Sequence, residues 1–328
     1  MKSSLQAAGK IFAILVMLLG LEPFRAWAGP AINQFEVKDL QSSPGDFEFQ
    51  SQNAFSLGNP FRRSAVTAGG ATVFDDNTIA RQREAMEIQL GITDWLRFRI
   101  GIEYEQERVN DPASFAEAKS FGDLELSELA LEGVVVFVKP KAEGIGLGML
   151  VEYGNPVSGD PEAQAELYIG PIIEAHTGPW SLIANLALVK FLGGHAAVGD
   201  TAYVRDEKVD FSYFLQGKYR FSDSWAVALE SYGTLDRIGN SGTKSEASAL
   251  FGDINQHRIG PVAYYTFFPE GRSLVSGGMI ERAGTASLSS EAGADDKELS
   301  VTIGAGALFG LNENTPDTTL KLSVEVDY

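Results

Sequence analysis

Within residues 95–105, WLRFRIGIEYE, apolar side chains alternate from Leu96 onward with charged or small ones. Leu96, Phe98, Ile100, Ile102 and Tyr104 fall on one side, and Arg97, Arg99, Gly101, Glu103 and Glu105 on the other. Successive side chains of a strand point to opposite faces, so this segment is a ribbon with one apolar and one charged face. A soluble sandwich also alternates. Two arginines and two glutamates along one face fit a water-filled or ion-paired interior, with the apolar face turned to lipid.

The same alternation recurs along the chain. Residues 46–57 set Phe47, Phe49, Phe55 and Leu57 on one face, and residues 80–92 set Met86, Ile88, Leu90 and Ile92 opposite Arg81, Arg83, Glu87 and Gln89. The pattern predicts twelve strands, at 46–57, 79–92, 95–106, 121–138, 144–154, 163–175, 180–191, 208–221, 225–234, 256–267, 298–310 and 319–328. Most are about ten residues long, the length a tilted strand needs to cross a bilayer. Short connectors alternate with longer ones rich in Gly, Asp, Ser and Asn, the asymmetry of periplasmic turns and outer loops. The fold class is therefore all-β, a transmembrane up-and-down antiparallel barrel of about twelve strands. An even count keeps both ends of the barrel in the periplasm. Residues 268–297 then become a periplasmic insertion; counting 31–38 and 274–281 as strands gives the alternative of fourteen.

The N-terminus reads as an export signal. Lys2 and Lys10 precede the apolar run Ile11–Leu21, and Ala26-Trp27-Ala28 forms an A-x-A cleavage site. The run is too short for a membrane-spanning helix, which needs about 20 residues. The domain reading is a signal peptide at 1–28, a periplasmic N-terminal segment at 29–45 and a barrel at 46–328. The 29–45 segment could also plug the barrel. Without residues 1–28, 23 basic and 43 acidic side chains remain, a net charge of −20. Such a chain offers nucleic acid no basic face. With no cysteine, disulfides and thiolate chemistry are excluded.

No cofactor motif is present, and no catalytic residue is expected. The three histidines, His176, His195 and His257, show no metal-ligand spacing, and His257, at a strand edge, has no identifiable serine partner. Charge on the polar faces is more informative. Arg81, Arg83, Glu87, Arg97, Arg99, Glu103 and Glu105 share one hairpin; Lys218, Arg220 and Glu230 share another; Lys321 and Glu325 belong to the closing strand. All twelve are candidates to line the lumen, either as a constriction that sets ion selectivity or as ion pairs that stiffen a narrow bore. Trp95, Trp180 and Trp225 each follow a short turn, where an aromatic girdle at the periplasmic interface belongs.

Four segments, GITDWLRFRIGIEYE at 91–105, YRFSDSWAVALESYG at 219–233, HRIGPV at 257–262 and LFGLNENTPDTTLKLSVEVDY at 308–328, carry a resemblance. The chain resembles the widespread family of uncharacterised proteobacterial porin-like outer-membrane β-barrels. Members usually end in Phe; this chain ends in Tyr328, still an aromatic residue of the kind the barrel-assembly machinery reads. The resemblance implies the outer membrane of a Gram-negative bacterium, with outer-membrane lipid and lipopolysaccharide as surroundings. The function to expect is a passive channel for small polar solutes or ions. The alternative is a closed structural or binding barrel that contacts another cell-envelope component.

Overall fold

The computed structural model describes residues 35–59, 62–66, 72–76, 78–109, 120–157, 164–192, 208–241, 255–269 and 299–328. The signal peptide, residues 29–34, His195 and all but the first two residues of the 268–297 insertion lie outside these. In chain order the strands are β1 (Phe47–Leu57), β2 (Arg62–Val66), β3 (Thr72–Asp76), β4 (Thr78–Thr93), β5 (Leu96–Val109), β6 (Glu125–Val138) and β7 (Gly144–Pro156). They continue with β8 (Ala165–Thr177), β9 (Trp180–Leu192), β10 (Val209–Arg220), β11 (Trp225–Leu235), β12 (Gln256–Phe267), β13 (Ser300–Gly310) and β14 (Thr318–Asp327).

Twelve of these strands close into one antiparallel barrel, in which β4 to β14 follow one another and β1 lies between β14 and β4. The remaining two, β2 and β3, pair only with each other, as a short hairpin within the connector that the sequence left unstructured. The barrel closes at twelve strands without residues 35–38, so the fourteen-strand alternative falls away. Closure leaves no wall strand with an open edge. At the seam Phe47 and Tyr328 exchange backbone hydrogen bonds at 3.1 and 2.8 Å.

Burial is inverted relative to a soluble protein. Leu182, Leu229 and Leu322 point outward and are 55%, 55% and 47% exposed, whereas Arg99, Glu166 and Glu230 point inward and are at most 3% exposed. A protein surrounded by water hides the first kind of side chain and exposes the second. A barrel with lipid outside and a polar interior does the opposite. No helix among the described residues is long and apolar enough to cross a membrane, which says nothing of a crossing by strands.

One end of the barrel, called here the turn end, carries the tight connections after β4, β6, β8 and β10 and both ends of the barrel chain. The other, the loop end, carries the connectors that follow β1, β5, β7, β9, β11 and β13. Phe267 and Ser300, which bound the 268–297 stretch, both lie at the turn end.

Two Gly-Pro steps interrupt the wall. Pairing of β8 with β9 skips Gly170-Pro171, and pairing of β12 with β13 skips Gly260-Pro261. Proline has no N–H to give the ladder. The neighbouring strand comes so close that a Cβ on Gly170 would overlap the Leu186 carbonyl oxygen, and one on Gly260 the Ala307 carbonyl oxygen. Only glycine fits at these two positions.

Candidate functional site in the barrel lumen

Residues 35–45 run inside the barrel, from Phe35, beside Ala54, Phe214, Tyr232 and Leu308, to the turn end at Asp46. This corrects the periplasmic placement for the described part of the 29–45 segment and follows the plug alternative instead. Each step of the path is held by an inward-facing side chain. Phe35 packs on Ala54, Phe214, Tyr232 and Leu308, edge-on to the Tyr232 ring at 5.5 Å. The Tyr232 hydroxyl lies 2.9 Å from the Phe35 carbonyl oxygen. Asn185 of β9 closes a two-way clamp: the Lys38 N–H donates to its Oδ1 at 2.6 Å, and its Nδ2 donates to the Lys38 carbonyl at 2.7 Å. The Leu40 N–H donates to Glu174 at 2.8 Å, and its side chain is buried with Val134, Val136, Leu150 and Ile172. An extended segment without strand partners must satisfy its backbone through side chains. The polar lumen supplies them.

Charge fixes the same segment to β4, β5 and β6. Arg99 donates to Glu36 at 2.7 Å and to Glu87 at 2.5 Å, and its second Nη lies 2.9 Å from Gln89. The Lys38 ammonium pairs with Glu36, with Glu132 at 2.9 Å and with Glu87 at 3.5 Å. Arg97 pairs with Asp39 at 2.5 Å and donates to the Gln41 carbonyl at 3.1 Å. Burial on its own pushes the Glu36 carboxyl up, but Arg99 and Lys38 hold it well below the ordinary carboxylate range. Burial and Arg99 push the Lys38 ammonium down, and Glu132, Glu36 and Glu87 together hold it above its ordinary value. A buried charge persists only when opposite charges surround it in this way.

The remaining charged candidates separate into groups. Towards the loop end, Arg81 pairs with Glu107 and with Glu105 at 2.9 Å, and Arg83 with Glu105 at 2.6 Å and Glu103 at 3.5 Å. These are the cross-strand pairs expected on one hairpin. Lys218 and Arg220 on β10 share a hairpin with Glu230 on β11. Glu230 takes its cation from Lys321 of β14, at 2.7 Å, because barrel closure brings the two strands near in space. Tyr232 and Tyr264 complete that cluster through hydrogen bonds to Glu230. Lys218 lies 5.3 Å over the Tyr264 ring, and Arg220 sits, partly exposed, beside the turn after β10. Glu325 lies with Glu48 and Asp327 at the turn end, their carboxylate oxygens within 4.8 Å of one another.

Several inward charges escaped the sequence reading. Glu128, Glu132, Glu152 and Glu166 form an acidic wall on β6 to β8. Arg258 of β12 lies 4.8 Å over the Phe35 ring. The signal was present: Glu152 and Glu166 are lone carboxylates within apolar alternation, as in Val151-Glu152-Tyr153. The tryptophans are outward and half-exposed, with Trp180 against Tyr219 and Trp225 against Tyr265, each at 4.7 Å between ring centroids. His257 accepts or donates a hydrogen bond with the Tyr213 hydroxyl at 2.9 Å, and His176 with Glu174 at 2.7 Å.

No family model matches the sequence, and no curated protein matches it. Among solved structures it is similar to the COG4313 outer membrane channel from Pseudomonas putida F1. That likeness has 15% identity and a TM-score of 0.54, and covers 89% of this chain and 100% of the other. The NanC porin aligns at 7% identity and a TM-score of 0.42, over 85% of this chain and 98% of that one. The first likeness is one of fold; the second is too distant to carry an argument. In fold, then, the chain is a closed twelve-stranded barrel of the kind that an outer-membrane channel also uses.

Proposed function

We propose that this protein is an outer-membrane, porin-like barrel that passes small polar solutes or ions passively, with residues 35–45 as an internal gate at its turn end. One observation carries the reading: a closed twelve-stranded barrel turns apolar side chains outward and lines its interior with charge. The carboxylates on β6 to β8 stand across the lumen from Arg258 of β12, and opposed charges of this kind impose a transverse field on anything that crosses.

The rest of the reading rests on the sequence. The chain is exported, loses residues 1–28 near Ala28, and is placed in a Gram-negative outer membrane by the barrel-assembly machinery through its Tyr328-terminated strand. Lipid and lipopolysaccharide are its surroundings, with the tryptophan girdle at the periplasmic interface. It belongs with the proteobacterial porin-like barrels that its motifs resemble, and it performs no catalysis. Swelling of proteoliposomes in small sugars and amino acids tests the channel. Swelling that depends on the protein supports it, and impermeable vesicles containing folded protein refute it.

A second reading, a closed barrel that binds an envelope partner, draws on the density of contacts around Lys38 and Arg99. Impermeable vesicles would favour it.

A further inference from the structure

The charges inside the barrel do not cancel. Among the described residues, eleven carboxylates and five cations are at least nine-tenths buried. The excess is spread along the bore rather than gathered on one wall. Around the internal segment, the two cations Lys38 and Arg99 face the three carboxylates Glu36, Glu87 and Glu132. Towards the loop end, the two guanidinium groups of Arg81 and Arg83 face the three carboxylates Glu103, Glu105 and Glu107. At the turn end Glu48, Glu325 and Asp327 stand within 4.8 Å of one another, and all three are partly exposed.

Arg258 runs the other way. Its guanidinium is 5% exposed, and among the described residues no carboxylate pairs with it. It donates to Gln256 at 3.0 Å and lies over the Phe35 ring. This one unpaired cation does not redress the balance.

A paired charge adds little to the potential at a distance, because its partner cancels it. An excess of one sign is not cancelled. A wall of low dielectric focuses the field of that excess into the space it encloses. The field concentrates counter-ions and depletes ions of the other sign, whichever side chain a passing ion touches. No single residue has to bind the ion.

We infer that the passage selects by sign of charge, admitting small cations and turning away anions. Among solutes of equal size, those of net positive charge pass in preference to carboxylates and phosphates. The inference deepens the channel reading and rests on it for the existence of a route.

The reversal potential of the refolded protein in planar bilayers, under a potassium chloride gradient at neutral pH, tests it. The expected permeability ratio of potassium to chloride is about ten or more. Two substitutions should move that ratio in opposite directions. Glu152→Gln should lower it and Arg258→Gln should raise it, each by about twofold or more, the effect of one unit charge at about 10 Å through water. Glu152 is the cross-strand partner of Glu132, so neutralising it also removes a like-charge contact and favours folding. A general loosening of the barrel would not give shifts of opposite sign. If either variant fails to fold, the ratio of the parent protein still decides. No preference for potassium in the parent, or shifts of the same sign in the two variants, would overturn the inference. Conduction that favours chloride would do so and leave the channel standing, whereas folded protein that conducts nothing would remove the channel and the inference together.

Discussion

Replacing Lys38 with Met should release the internal segment from the lumen. The Lys38 ammonium is 6% exposed and lies among Glu36, Glu87 and Glu132, at 3.5 Å and 2.9 Å from the latter two. The substitution keeps most of the side-chain volume and removes the charge. Three carboxylates are then left to share Arg99. Breaking a buried pair by removing one partner costs about 3–5 kcal/mol. The cost falls on the seated state, since in the released state both Lys38 and the wall carboxylates meet water. The released population should rise by roughly two to three and a half powers of ten, at about 1.4 kcal/mol per power. Because the chain has no cysteine, a single Ser42→Cys change supplies a unique reporter. Ser42 is buried, and its hydroxyl donates to the Thr93 carbonyl at 2.6 Å. Reaction with a bulky maleimide then requires release, and the loss of the Ser42 hydrogen bond is common to both backgrounds. Labelling of Lys38→Met/Ser42→Cys should be about a hundredfold faster or more than that of Ser42→Cys. Equal rates would show that the charge network does not hold the segment.

Three further outcomes are expected. Charge on the lipid face should cost stability by depth: Leu322→Arg, at the middle of β14, about 2–4 kcal/mol, and Leu96→Arg, beside the turn end, about 0–1 kcal/mol, by denaturant titration of folding into vesicles. Equal costs would argue against a spanning barrel. Gly170→Ala should lower stability by about 1–3 kcal/mol because its methyl meets the Leu186 carbonyl, while Gly133→Ala, with open space around the new methyl, stays within about 0.5 kcal/mol; unfolding midpoints of the two variants decide this. Tyr232→Phe removes the hydroxyl that lies 2.9 Å from the Phe35 carbonyl and 3.0 Å from Lys321, and should loosen the inner end of the segment by about 1–3 kcal/mol, read by the same Ser42→Cys labelling.

The wall of the barrel was legible in the sequence, and its interior only in part. Alternation such as that of β5 reports directly which side chain faces which way, so the twelve strands and their inward arginines followed from local pattern. Pairs within one hairpin, Arg81 with Glu105 and Arg83 with Glu105, were legible for the same reason. Contacts that exist only because the barrel closes were not. Lys321 meets Glu230 across 91 positions, and Lys38 meets Asn185 across 147. Nothing local to FEVKDL at 35–40 marks those residues as an occupant of the lumen rather than a periplasmic strap. Hairpin reasoning likewise placed Glu230 with Lys218 and Arg220 but gave no sign of Lys321, its cation from three strands away around the ring.

The central claim, a polar channel narrowed by its own N-terminal segment, is tested most directly by single-channel recording of the refolded protein in planar bilayers. Discrete conductance steps are expected, longer-lived or larger in Lys38→Met than in the parent chain. The absence of steps from both proteins, with folding of each confirmed, would contradict the account.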